Sequence, residues 1–147
     1  MSYKNNQSVL VIIYAKSTQR VLMLQRVDDP EFWQSVTGTI EKGERPFETA
    51  LREVKEETGI DVFAQNLSLY DCKKSVEFEI FAQFRYKYAP NIRYATEHWF
   101  LLPLEQEIIP VLSEHLAFQW LNVEQAVRLT KSPNNALAIQ QYLAETN

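Results

Sequence analysis

Residues Gly38 to Ile60, GTIEKGERPFETALREVKEETGI, constrain this chain more than any other stretch. Gly38 and Gly43 frame a turn, and Gly59 is the third and last glycine of the protein. Glycine reaches backbone conformations that other residues resist. Pro46 suits a first helical turn, where its missing N–H costs little. Gly59 is placed as the C-terminal cap. The helix between these marks has two faces. Phe47, Ala50, Leu51, Val54 and Thr58 fall on a packing stripe. Glu53, Glu56 and Glu57 stand away from it at i, i+3 and i+4. Like charges at i,i+4 repel by roughly 0.2–0.5 kcal/mol. Arg52 reaches Glu56 four residues on, and Lys55 points elsewhere. A hard divalent cation would relieve the remaining repulsion, since such ions take oxygen ligands. A lone acidic cluster is otherwise an ordinary solvated helix face.

The spacing separates this stretch from an ordinary acidic face. Gly38, Glu44, Arg52, Glu53, Val54, Glu56, Glu57, Gly59 and Ile60 match, position by position, the pattern G, five residues, E, seven residues, R-E-U-x-E-E-x-G-U, where U is bulky and apolar. This is the box of the Nudix hydrolases, and the chain resembles that family. Its members cleave a nucleoside diphosphate linked to another moiety, using Mg²⁺ or Mn²⁺. The resemblance implies an α+β fold, a Nudix-type α/β/α sandwich with a mixed β-sheet, in one domain over residues 1–147. It implies Glu53 and Glu57 as direct metal ligands, with Glu56 close behind and the Gly38 carbonyl as a further oxygen. Glu44 then supports the loop, and Arg52 fixes the glutamate geometry.

Many Nudix sequences read W-x-x-P-G-G before the box, whereas Trp33 to Gly38 reads WQSVTG. That departure, with VEFEIF at Val76 to Phe81, YAP at Tyr88 to Pro90, TEHWF at Thr96 to Phe100, EHLAFQWL at Glu114 to Leu121 and TKS at Thr130 to Ser132, looks like the subgroup acting on dihydroneopterin triphosphate. The resemblance implies substrate contacts at Lys4, Arg26, Thr37 and Ser132. It implies a wall for a flat pterin ring at Phe78, Glu79, Ile80 and Phe81, with Glu79 reading ring nitrogens. The plainer alternative is a surface charge for Lys4 and Arg26, a core aromatic for Phe78 and Phe81, and a helix cap for Ser132. Glu114, six residues before Trp120, is expected to complete the metal site or act as base, with His115 as second choice. The expected activity is Mg²⁺-dependent hydrolysis of 7,8-dihydroneopterin triphosphate to dihydroneopterin monophosphate and pyrophosphate, in folate biosynthesis. A nucleoside triphosphate pyrophosphohydrolase is the alternative, because the box reads phosphate and metal rather than base. A non-catalytic metabolite-binding module is more remote, since the box glutamates are all present.

The remainder of the chain sets bounds. At 147 residues and 46% hydrophobic content it is the size of one domain with a real core. A net charge of −4 argues against a nucleic-acid polymer as partner, but not against a small pterin or nucleotide triphosphate. Cys72 is the only cysteine, so no intramolecular disulfide forms. No signal segment or membrane-spanning run is visible, and no obligate protein partner, so a cytoplasmic protein is expected. Ser8 to Ala15 reads as a strand buried on both faces, followed by Arg20 to Arg26. Asp28 to Thr37 is a loop into a short strand. Ser75 to Tyr88, His98 to Leu104 and Ala117 to Leu121 read as further strands. Glu97, beside one of these, is read as structural. Asn122 to Thr130 is a helix with an Asn cap. Asn134 to Glu145 closes the chain as a helix with Leu137, Ile139 and Tyr142 inward.

Overall fold

The computed structural model describes residues 3–143. The run is β1 Gln7–Ala15, β2 Val21–Arg26, β3 Trp33–Gln34, β4 Val36–Thr39, α1 Pro46–Thr58, β5 Tyr70–Glu79, β6 Tyr94–Leu104, β7 His115–Leu121, α2 Val123–Leu129 and α3 Pro133–Leu143. The β-branched run in β1 puts it at the centre of the sheet. It pairs in parallel with β6 along its whole length and antiparallel with β2 and β4. β5 extends the sheet beyond β6, while β3 and β7 extend it beyond β2, all antiparallel. The sheet is therefore mixed, as expected.

Both faces of β1 are covered, which is why its sequence is apolar at nearly every position. Val9, Val11 and Ile13 pack with Ala50 and Val54 of α1. Leu10 and Ile12 pack on the other face with Ala126 of α2 and Ala138 and Ile139 of α3. The result is the α/β/α sandwich. Among the described residues, no helix is long and apolar enough to cross a membrane.

α1 follows its sequence closely. Pro46 occupies the first position, and Gly59 takes φ +81°, its N–H donating to the Lys55 carbonyl at 2.9 Å. Ala50, Val54 and Thr58 are buried as the stripe requires, with Phe47 and Leu51 half-buried beside them. Glu57 is also buried, although its charge placed it on the outer side.

Three expectations need correction. Ser75 to Tyr88 is not one strand. β5 ends at Glu79, and Ala82–Lys87 coils into a 3-10 turn, with the Phe84 and Tyr88 N–H groups donating to the Phe81 and Arg85 carbonyls at 2.9 and 3.0 Å. Side chains three apart eclipse in such a turn, so Phe81 and Phe84 come together, which an extended strand would forbid. In α3 the inward face is shifted: Ala138, Ile139 and Leu143 are buried while Leu137 is exposed. The expected extension of that helix through Ala144 and Glu145 lies outside the described residues. Gly38 lies inside β4 rather than in a turn; the turn glycine is Gly43, at φ +85°.

Candidate active site

The loop before β7 is docked onto the end of α1. The Ser113 hydroxyl donates to the Glu56 carbonyl at 2.7 Å, and the Val111 N–H donates to the Thr58 carbonyl at 2.8 Å. This seats Glu114 and His115 against Glu57. An open basin of about 950 Å³ results, lined by Gly38, Arg52, Glu53, Glu57, Glu114 and His115. Arg52 organises it. Its Nε and Nη2 donate to the two Glu44 oxygens at 2.7 and 2.9 Å. Its Nη1 donates to Glu53 at 3.0 Å and to Glu56 at 3.3 Å, and its Nη2 also reaches the Thr39 carbonyl at 3.1 Å. Glu44 further accepts from the Thr49 hydroxyl and the Glu41 N–H. Arg52 first, and then these donors, bring its carboxyl down to about 2.

The remaining carboxylates are shifted the other way. Burial, then the hydrogen bond that its protonated form makes to neighbouring Glu56, pushes Glu53 up to about 7. Burial and the charges of Glu53, Glu114 and Glu56 raise Glu57 well above the ordinary carboxylate range. The Glu57 Oε1 is buried without a hydrogen-bond partner. His115 Nε2 stands 3.6 Å from it, but burial and Arg26 lower the imidazole. Among the described residues no three ligating side chains converge on one point; Arg52 and mutual hydrogen bonds hold the glutamates instead. The donor set is nevertheless all oxygen, crowded, self-repelling and provided with an orphaned oxygen. A hard divalent cation fits such a set. Gly38 explains the close packing: a Cβ there would land on the Glu53 carboxylate.

β4 divides this basin from a second cavity. Gly38 lies opposite Val9, on the α1 face of the sheet, and Thr37 lies opposite Leu10, on the face covered by α2 and α3. Alternate residues of a strand point to opposite faces. A side chain is therefore excluded at Gly38 and accommodated at Thr37. The second cavity is a slot on the Thr37 face. Phe32, Phe81 and Phe84 meet edge to face or tilted, with centroids 5.4 to 6.2 Å apart, and Phe78, Ile80 and Tyr88 continue the wall. Ser132 lines the slot and also caps α3, its Oγ accepting from the Asn135 N–H at 3.2 Å.

Lys4, Arg26 and Lys87 line both cavities. Arg26 stacks over Phe84, its Cζ 4.2 Å from the ring centroid, and its fork is already bound to Asp28 at 2.6 and 2.7 Å. Lys87 donates to the same carboxylate at 3.0 Å. Asp28 is held far below its usual range by Arg26 and then Lys87. Lys4 as a residue is exposed, yet its ammonium lies 5.9 Å from the Tyr88 ring centre. Desolvation there, ahead of repulsion from Lys87 and Arg26, lowers its pKa.

The sequence carrying this arrangement matches the NUDIX domain over residues 4–142. The chain belongs to the NUDIX family. Among curated Nudix relatives it is 63% identical over 143 residues to the dihydroneopterin triphosphate diphosphatase of Haemophilus influenzae, covering 97% of this chain and 90% of that protein. It is 55% identical over 141 residues to the protein of the same name from Escherichia coli strain K12, covering 96% and 94%. Among solved Nudix structures, the E. coli dihydroneopterin triphosphate pyrophosphohydrolase superposes with a TM-score of 0.97 at 53% identity, covering 99% of this chain and all of that one.

Of the residues the sequence points to, Gly38, Arg52, Glu53, Glu57 and Glu114 line the basin, while Glu44 and Glu56 are joined to it through Arg52. The structure also places Lys4, Arg26, Thr37, Phe78, Ile80, Phe81 and Ser132 at the slot. Glu79 needs correction. Its side chain alternates away from Phe78 and Ile80, and it accepts from Arg85 at 2.7 Å and Arg93 at 3.1 Å. The carboxylate lining the slot is Glu97, read from sequence as structural. Lys87 and Phe84 belong to the site as well. The aromatic spacing Phe81, Phe84 was the available signal for the turn that delivers them.

Proposed function

We propose that this chain, as one catalytic domain, hydrolyses 7,8-dihydroneopterin triphosphate to dihydroneopterin monophosphate and pyrophosphate, a step of folate biosynthesis. The observation carrying this reading is the continuity of two cavities of opposite character. An aromatic slot suited to a flat ring opens through Lys4, Arg26 and Lys87 into a basin of carboxylates. A ring joined to a triphosphate spans the two. The names of the relatives from H. influenzae and E. coli support the same substrate.

Glu53 and Glu57 would hold the divalent cation, Mg²⁺ with Mn²⁺ as a substitute, with Glu56, Glu114 and the Gly38 carbonyl around them. When bound, that ion supplies charge neutralisation for the polyphosphate and lowers the pKa of water. The protein's own groups do the rest. Arg52 holds Glu53, Glu56 and Glu44 in one orientation, so the carboxylates need not reorganise when substrate enters. Lys4 and Lys87 meet phosphate oxygens at the mouth of the slot, and Arg26 supports the ring through its stacked face. Thr37 adds a hydroxyl beside the phosphates. The Glu114 carboxylate, exposed on its loop, accepts the proton of the attacking water. Pyrophosphate leaves toward the open basin.

The test is purified protein with Mg²⁺ and dihydroneopterin triphosphate, with products identified by mass spectrometry. Monophosphate and pyrophosphate in equal amounts are expected. Stepwise release of inorganic phosphate, or no turnover, would overturn the proposal.

A further inference from the structure

Glu97 sits on β6 at the slot, and its surroundings are unusual for a carboxylate. It is 7% exposed. Its Oε1 accepts from the Trp99 indole N–H at 3.1 Å, and the Asn134 side chain supplies a second hydrogen bond. Both partners are neutral, and no Lys, Arg or His pairs with it among the described residues. A buried carboxylate without a cation is costly, and here burial pushes it up to about 7. A residue serving only to pack against Trp99 would not need a charge. The slot supplies the missing context: aromatic rings from Phe32, Phe78, Phe81 and Phe84 flank the space that this carboxylate lines.

We propose that Glu97 determines ring specificity by accepting hydrogen bonds from the 2-amino group and N3–H of a 2-amino-4-oxopyrimidine edge, the edge that pterins and guanine share. The two N–H donors of that edge are parallel, and match the two oxygens of one carboxylate as a guanidinium fork does. Binding would give the buried charge the donors it lacks in the free protein. Placing Glu97 on the ring, and not on the phosphates, also suits its position. It lies on the α2–α3 face of the sheet, whereas Glu53 and Glu57 lie on the α1 face. This inference rests on the proposed function for the identity of the substrate.

The test uses ligands without phosphate, so that the basin takes no part. Neopterin is titrated into the full chain with Mg²⁺ present, followed by pterin fluorescence, beside lumazine, whose position 2 carries an oxo group, and guanosine. The wild type should bind neopterin and should bind lumazine at least about tenfold more weakly, since an acceptor then faces the carboxylate. Glu97→Gln keeps an oxygen for Trp99 but offers the ring at most one acceptor. It should weaken neopterin binding roughly 10- to 100-fold and bring the neopterin-to-lumazine ratio toward one. Glu97→Asp, which retains the charge on a shorter arm, should fall between, and covers the case in which the amide fails to fold. Guanosine should bind more weakly than neopterin. Tighter guanosine binding that Glu97→Gln abolishes would keep the edge assignment and change its source. Equal neopterin binding by wild type and Glu97→Gln would overturn the assignment. If that same wild type hydrolyses dihydroneopterin triphosphate, the assignment alone falls. If it neither binds neopterin nor turns over that substrate, both readings fall.

Discussion

Glu97 makes stability depend on pH in a way that can be worked out in advance. In an unfolded chain its carboxyl titrates near 4.5, and in the folded protein it is held up to about 7 by burial. Between those values the folded protein keeps a proton that the unfolded chain has released. Folding is thus favoured by this group below pH 4.5, and that advantage is lost as pH rises through 7. A tenfold change in proton affinity is about 1.4 kcal/mol, so the full cost of the ionised group is on the order of 3 kcal/mol. Glu97→Gln removes the titration while keeping an acceptor for the Trp99 indole. Any constant penalty of the amide cancels when the variant and wild type are compared at two pH values. Their stability difference should shift by about 2–3 kcal/mol in favour of the variant between pH 5 and pH 8. In Tm this is about 5–10 °C for a chain of this size. Urea or thermal denaturation of ligand-free protein, followed by circular dichroism at both pH values, measures it. A difference that stays constant with pH would show that Glu97 is not a buried, cation-free carboxylate, and would falsify the electrostatic reasoning at the slot.

Other expectations concern the basin. Glu53→Gln should leave the fold intact and reduce kcat by at least ~100-fold, because loss of a ligand should exceed the 10–100-fold cost of losing a supporting contact; steady-state rates with matched circular dichroism spectra test this, and near-normal turnover in a metal-saturated variant would remove Glu53 from the metal set. Gly38→Ala displaces the flexible Glu53 carboxylate and not the backbone, so activity should fall far more than Tm, whereas an equal loss of both would mean that the glycine serves the fold. Arg52→Lys forfeits the two-pronged contact with Glu44 and should cost about 1–2 kcal/mol in denaturation, along with a higher Mg²⁺ requirement that titration of the rate would reveal. Chelation with EDTA should stop turnover and Mg²⁺ should restore it; activity persisting in EDTA would contradict the divalent cation.

Much of the basin was legible because local rules wrote it. Pro46, Gly59 and the glutamate spacing fix a helix and its polar face within a few turns, and Glu53 and Glu57 needed no tertiary information. β1 was equally plain, since an unbroken apolar run has to be buried on both sides. The slot was harder, because it depends on how distant segments meet. Glu97 and Trp99 share a face of β6, but only the packing of α3 and of the turn at residues 82–87 encloses them. An alternating aromatic pattern from Ser75 to Tyr88 resembles a strand until Phe32 is known to lie beside Phe81 and Phe84. Glu79 was misplaced for the same reason: its strand parity becomes certain only once the register with β6 places Phe78 opposite Ala95. Gly38 was correctly singled out, but for backbone freedom, when its actual requirement is the approach of Glu53.

The most direct measurement is a competition. Dihydroneopterin triphosphate and an equimolar panel of nucleoside triphosphates, dATP included, are offered together with Mg²⁺, and the disappearance of each is followed by mass spectrometry. A slot built for a pterin ring and joined to the basin should consume the pterin first, releasing pyrophosphate, with nucleotides trailing by at least about tenfold in kcat/KM. Faster loss of a nucleotide would leave the carboxylate basin as the seat of hydrolysis and contradict the slot as the reader of a pterin.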